Sequence, residues 1–423
     1  MYVFPQQQQQ QKQKKLMSWT QTPNQTLLYK KGRSLDTPAT GKVAAFDIDW
    51  CVIRTKSRRP FAVDPSDWEF WCPSVRDKLR QLPKMGYQIV FFTNQAGLLK
   101  SEEKLLGWTK KIDTVVAALG LDNQICVLAA LQKRGAYRKP RTGMWHFFAS
   151  HLAAAPPAIA ESFFVGDAAG RPKAPRQKKD FSCSDLKFAL NLGLRFFVPE
   201  QYFLGSSSPR DCDRSLATMG FNPKQHWKQY YEAERQADGR WAKPPTKPSA
   251  ERATMSMSTT PELVLIVGSP ASGKSTLALQ TVQAHPQAVR VNQDTLKTLP
   301  RCLKAVGVAL DNKQTVLVDN TNRDKATRAR YVQLAAQRKV PCRCVWLQTT
   351  KEESFHLNGF RGSHGTAGET GKRQVPDVVL HTYFKRLEPP KQSEGFASMD
   401  TIGFVPGPFR NQQHFEAFYQ FYN

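Results

Sequence analysis

Two stretches of the chain repeat one rhythm, in which short apolar runs are separated by amphipathic segments. From Val43 to about Gly205, VAAFDID, YQIVFF, QICVLAAL and SFFVGD each read as buried strands, and segments such as Ser101–Leu119 read as the helices between them. The rhythm restarts at Glu262 with ELVLIVG, followed by VRVN, QTVLVDN and CRCVWLQ. Strands written as continuous apolar runs are those covered by helices on both faces. The expected fold class is α/β, two doubly wound parallel-sheet domains over 43–205 and 261–423, with ligands at the carboxyl ends of the strands.

The remaining segments lack this rhythm. Residues 206–260 carry Ser206-Ser207-Ser208-Pro209 and Lys243-Pro244-Pro245 and read as a linker, partly packed through Trp227, Tyr230, Tyr231 and Trp241. Residues 1–42 open with glutamines from Gln6 to Gln11, then Lys12, Lys14 and Lys15, with no acid before Asp36. A segment so poor in apolar residues cannot offset the cost of ordering, so a disordered tail is expected. It reads either as an organelle-targeting segment or as a basic nuclear-import arm, and a nuclear protein is expected, with the mitochondrion as the alternative.

Composition narrows the function. The chain has 423 residues with 61 Lys+Arg against 35 Asp+Glu, a formal net charge of +26. The excess is spread: +6 over residues 1–42, +9 over 43–205, +3 over 206–260 and +8 over 261–423. Two basic globular halves point to a polyanion met by both. No run approaches the roughly 18 apolar residues of a membrane span, and no apolar core precedes a cleavage site near the N-terminus. The eight cysteines form no CxxC pair, so neither a disulfide framework nor a zinc site is expected.

The second domain carries the sharper motif. Gly268 to Ser275 spell GSPASGKS, a phosphate loop between a strand and the STLALQTVQA helix. Gly268, Ser272 and Gly273 let backbone N–H groups curl around phosphate, Lys274 supplies charge, and Ser275 offers its hydroxyl to Mg²⁺. Asp294, at the end of the next strand in VRVNQD, could take the proton of an attacking hydroxyl, or simply cap the following helix. Asp319, ending VLVD, could serve the metal through water, and Arg361 in ESFHLNGFRG could form part of a lid that stabilises transferred charge.

In the first domain, Asp47 and Asp49 stand one residue apart directly after a strand, so one can act as nucleophile and the other as proton donor. Three further loops follow in order at strand ends: Thr93 in FFTNQ, Lys139 in YRKP and Asp167 in FVGDAAGR. Together they supply a hydroxyl and an ammonium for a phosphate, and another acid for Mg²⁺.

The two motif sets together resemble the eukaryotic polynucleotide kinase 3′-phosphatase family, a haloacid-dehalogenase-type phosphatase fused to a P-loop kinase. The likeness rests on PSDW (65–68), GYQIVFFTNQAG (86–97), YRKPRTGMW (137–145), FVGDAAGRP (164–172), KKDFSCSD (178–185), NLGL (191–194), VNQDTL (291–296), DNTNRDKATRARY (319–331) and SEGF (393–396). The resemblance implies that Asp47 attacks a DNA 3′-phosphate, while Asp49 protonates the leaving oxygen and then activates water. Thr93 and Lys139 would bind phosphoryl oxygens; Asp47, the Asp49 backbone carbonyl and Asp167 would hold Mg²⁺, with Asp185 orienting its waters. Lys274, Ser275 and Thr276 would bind ATP with Mg²⁺, Asp294 would activate a 5′-hydroxyl, Arg301 would contact DNA and Arg361 would be the lid arginine. The basic run 171–179, through Lys173 and Arg176, would track the DNA backbone, or else form a solvated loop.

Two departures stand out. Where the family usually has Gly-Thr after the paired aspartates, this chain has Trp50-Cys51, a weaker donor that leaves kinase-only activity as an alternative. Trp50 could also stack on a base. Only 42 residues precede the phosphatase segment, so no forkhead-associated domain is expected. The expected protein is a monomeric bifunctional enzyme of strand-break repair acting on damaged DNA ends, with a ligase or repair scaffold as partner. A kinase/phosphatase of small metabolites and a non-catalytic DNA-end scaffold remain as competitors.

Overall fold

The computed structural model describes residues 19–32, 40–121, 124–173, 179–206, 220–223, 225–226, 255–364, 374–404, 409 and 412–420. The chain divides into two compact units, the first through Asn222 and the second from Pro223. Each is built on one main sheet.

In the first unit the sheet strands are β1 (Trp19–Gln21), β2 (Leu27–Lys30), β3 (Val43–Phe46), β6 (Gln88–Asn94), β7 (Ile125–Ala130), β8 (Phe163–Val165) and β9 (Arg195–Phe197), while β4 (Ile53–Arg54) and β5 (Glu69–Phe70) form a separate small hairpin. The order is β1-β2-β7-β6-β3-β8-β9, parallel from β7 to β9. Every residue of β3, β7 and β8 is buried, which is why these strands lack a polar face. From β3 the chain winds first to β6 and β7 on one side and then to β8 and β9 on the other. That reversal opens a crevice at the carboxyl end of β3, where Asp47 stands.

The expected disorder of residues 1–42 is corrected by β1 and β2. They form an antiparallel hairpin that pairs with β7, Leu27 opposite Ala130. Leu27 and Leu28 are buried, and Trp19 packs on Trp108 while its Nε1 donates to Asp113 at 3.1 Å. A short hairpin gains its order from an existing sheet edge, a contribution that the glutamine-rich average around it conceals. The glutamine run itself lies outside the described residues.

The second unit has five parallel strands in the order β11-β12-β10-β13-β14: β10 (Leu263–Gly268), β11 (Ala288–Val291), β12 (Thr315–Asp319), β13 (Cys342–Gln348) and β14 (Ser398–Gly403). Its central strand β10 is buried throughout and again sits at a winding reversal, so the phosphate loop emerges into the crevice. Of the expected linker, Met255 is buried and its N–H donates to Thr281 Oγ1 at 3.1 Å. Trp227, Tyr230, Tyr231 and Trp241 lie outside the described residues.

Candidate phosphoryl-transfer sites

The carboxyl-end loops of the first sheet supply the polar side chains of the first site. Asp47 follows β3 and its N–H donates to Val165 O at 2.8 Å, tying it to the neighbouring strand. Lys139, buried in the loop after β7, donates to Asp47 Oδ1 at 2.6 Å, Asp185 Oδ1 at 2.8 Å and Phe92 O at 2.7 Å. Asn94 grips both backbone groups of Lys139, donating to its carbonyl at 3.1 Å and accepting from its N–H at 2.9 Å. Burial alone would lower the Lys139 pKa, but Asp185 and Asp47 outweigh it, so the ammonium stays charged.

Asp47, Asp167 and Asp185 bring carboxylate oxygens within 4.8 Å of one another. Burial pushes Asp47 up to about 7, with Lys139 pulling down and Asp185 pushing up. Asp167 is driven well above the carboxylate range by burial and then by Asp185 and Asp47. Three hard oxygen donors carrying more negative charge than one lysine balances are a fit set for a divalent cation. Asp185 thus joins the cluster directly. Asp49, whose backbone carbonyl the sequence reading gave to the metal, turns its carboxylate to other partners, as an acid-base role allows: it accepts from Gln95 Nε2 at 2.7 Å and lies 3.5 Å from Lys111 Nζ. Gln95 also donates to Thr93 Oγ1 at 3.0 Å, linking the hydroxyl to the second carboxylate.

The Trp50-Cys51 departure is absorbed by the backbone. Trp50 has φ +62°, a left-handed conformation that glycine adopts without strain. Its Nε1 donates to Pro60 O at 3.4 Å, and the side chain is half-buried. Cys51 is fully buried, and its thiol donates at 3.4 Å to Val165 O, the carbonyl that also receives the Asp47 N–H. The thiol therefore ties the acidic loop to β8, through a weaker donor than a hydroxyl.

The basic run 171–179 divides. Arg171 is buried and pairs with Asp180 at 2.8 Å and Glu200 at 3.0 Å, so it braces the loop of Asp167 instead of facing a ligand. Lys173 is exposed, and Arg176 lies outside the described residues.

In the second unit, Gly273 at φ +92° begins the helix Lys274–Ala284. A Cβ at Gly268 would lie 2.8 Å from Ser272 Oγ, so a larger residue there would make the serine side chain turn away. Lys274 is buried and donates to Ser269 O at 2.6 Å. Ser272 Oγ is buried with no hydrogen-bond partner among the described residues. Asp319 ends β12 and is held by Arg290 Nε at 3.0 Å and Asn292 Nδ2 at 3.1 Å. Burial would raise it, but hydrogen bonds from Arg290 and Ser275 and the charge of Lys274 bring it below its ordinary range. Ser275 and Asp319 thus meet, while Thr276 stands half-buried one residue further along.

Asp294 is exposed in the first turn of the short helix Gln293–Leu296, and Asn292 does the capping, accepting from its N–H at 2.8 Å. Arg301 is exposed in the first turn of the helix Leu299–Asp311, after the cap Thr298. Arg361 lies in the helix Lys351–His364, where Nη2 donates to Asn358 Oδ1 at 3.1 Å and burial lowers its pKa.

Gln95, Lys111, Asn94, Arg290 and Asn292 were not legible as site residues. Gln95 and Asn94 stand beside Thr93 in FFTNQ, but Lys111 approaches Asp49 across 62 positions, for which a sequence carries no local signal.

A family model described as polynucleotide kinase 3 phosphatase matches residues 42–203. Models described as zeta toxin and AAA domain match 248–306 and 296–390. The chain is 34% identical over 370 residues to the bifunctional polynucleotide phosphatase/kinase of Schizosaccharomyces pombe, covering 86% of this chain and 80% of that protein. It is 30% identical over 225 residues to the polynucleotide 3′-phosphatase of Saccharomyces cerevisiae, covering 41% of this chain and 92% of that one. With both catalytic loops assembled on their own sheets, and with a relative matched along most of both chains, this chain belongs to the bifunctional polynucleotide phosphatase/kinase family.

Proposed function

We propose that the chain repairs DNA ends, removing 3′-phosphate at the Asp47 site and phosphorylating 5′-hydroxyls from ATP at the phosphate loop. The observation that carries this reading is the presence, in one basic chain, of an Asp47–Lys139 pair within a carboxylate cluster and of a phosphate loop whose Ser275 meets Asp319.

Lys139 grips Oδ1 of Asp47 and so sets its orientation for attack on phosphorus. As the bond from Asp47 to phosphorus forms, that from phosphorus to the 3′-oxygen breaks, and Asp49 gives the leaving oxygen its proton. Water then attacks the aspartyl-phosphate, and Asp49 takes the proton back. Gln95, bridging Asp49 and Thr93, holds the acid and the phosphate-binding hydroxyl in register. Asp47, Asp167 and Asp185 would hold Mg²⁺, which supplies neutralisation of phosphoryl charge.

At the other site the orphaned Ser272 hydroxyl and buried Lys274 suit the phosphates of ATP, with Ser275 and Asp319 toward its Mg²⁺. Asp294 would take the proton of the 5′-hydroxyl, and Arg361 would meet the transferred charge. The exposed Arg301 and Lys173 suit DNA phosphates. The basic first segment supports a nuclear address, with a ligase acting on the product ends, and localisation with and without residues 1–42 checks the former.

The decisive assay is a nicked duplex bearing 3′-phosphate and 5′-hydroxyl, with ATP and Mg²⁺. Asp47→Ala loses only phosphate release and Lys274→Ala only phosphorylation. Wild-type protein that does neither sinks the reading.

A further inference from the structure

Against the loop that carries Lys139 lies a pocket of about 590 Å³ that none of the roles above uses. Its walls include Tyr137, Phe147 and His151, with the amides of Asn24 and Gln132 at the rim. The rings form one continuous surface: Phe147 stacks on His151 at 4.5 Å between centroids and meets Tyr29 at 4.9 Å and Tyr137 at 6.1 Å.

The topology puts this pocket at the catalytic end of the sheet. Gln132 and Tyr137 belong to the loop that leaves the carboxyl end of β7 and carries Lys139. Asn24 lies in the turn of the β1–β2 hairpin, beyond the position where Leu27 pairs with the last β7 residue, Ala130. Tyr137 stands two residues from Lys139, a backbone span of at most about 7 Å. A strand with its 3′-phosphate at Asp47 that leaves along this loop would meet the pocket with an upstream nucleotide.

Charge points the same way. Between Leu131 and Gly143 the loop carries Lys133, Arg134, Arg138, Lys139 and Arg141 and no acid. Arg138 stands in the chain between Tyr137, which lines the pocket, and the catalytic lysine. Its Nη1 is buried and has no hydrogen-bond acceptor among the described residues, and burial lowers the guanidinium pKa. A cation so placed calls for an anion, and a phosphodiester supplies one. Cations interleaved with a ring surface make a platform on which single-stranded bases stack while the backbone is held electrostatically.

We propose that this pocket and loop bind an upstream nucleotide of the strand whose 3′-phosphate is removed, its base on the Tyr137–Phe147–His151 surface and its phosphodiester at Arg138. The site sets a minimum strand length for the phosphatase, and the inference rests on the 3′-phosphatase reading above.

Two readouts on the full chain test it. In Asp47→Ala protein, an oligonucleotide with a 3′-phosphate and a photoreactive base at each of three upstream positions crosslinks to the peptide spanning 137–151, without any need for turnover. In otherwise wild-type protein, Tyr137→Ala with His151→Ala, and separately Arg138→Gln, raise KM for that oligonucleotide about five- to a hundredfold with little change in kcat. An upstream abasic position reproduces the KM rise in wild type. Crosslinks confined to other peptides, with KM unchanged in both variants, overturn the platform while phosphate release by wild type keeps the phosphatase reading. Crosslinks in 137–151 without release of phosphate by wild type support the platform and overturn the phosphatase reading instead.

Discussion

Single residues decide whether the acidic loops can approach one another. Gly166 precedes Asp167, and a Cβ built there would lie 2.7 Å from Asp185 Cβ, closer than real side chains come. Gly166→Ala should push Asp185 away from Lys139 and lower 3′-phosphate release by about a hundredfold, the scale of loss for a misplaced catalytic group, with 5′-phosphorylation unchanged. Kinetics at both ends of one nicked substrate measure this, and equal loss of the two activities would place the effect in folding. The motif residues Asp47, Lys139 and Lys274 could be read from spacing because each stands in a loop whose neighbours are also constrained. Lys111 and Arg290 could not, since their partners are far away in the chain. Cys51 was legible as a departure, but its bond to Val165 O belongs to the packing of β3 against β8.

At the scale of elements, similarity to a family does not separate chemistry from support. DNTNRDKATRARY and SEGF are among the stretches that carry the likeness, yet Arg328 in the helix Lys325–Gln337 and Glu394 pair at 2.7 Å with both side chains almost fully buried. They fasten the chain before β14 to a helix. A second support is titratable. His226 packs between Phe404 and Tyr419, the latter on the helix Gln412–Gln420, and burial holds it at about 4. Its folded pKa lies below the unfolded value of about 6.5, so between those two pH values the unfolded chain binds more protons and stability falls as pH falls. The melting temperature of the second unit should therefore drop between about pH 6.5 and 4, and His226→Phe should flatten that dependence. Thermal unfolding at several pH values checks it, and an unchanged slope in the variant would assign the loss to other groups.

For the whole molecule, the net charge of +26 is a statement about association with a polyanion. If about six phosphates are neutralised, affinity for a nicked duplex should fall roughly a thousandfold between 50 and 200 mM salt. Fluorescence anisotropy across that range measures the slope, and a flat response would favour a small uncharged substrate. The sequence alone determined two α/β units, their order and the loops that carry acids, lysines and the phosphate-binding turn, because these follow from apolar runs and short-range spacing. Only the tertiary structure decided that residues 19–30 extend the first sheet, that Asp185 joins the carboxylate cluster while the Asp49 side chain turns to Gln95, and that Arg171 braces a loop. The reason is physical: strand-edge pairing and burial of charge depend on groups brought together from distant parts of the chain, and neither leaves a local periodicity to read.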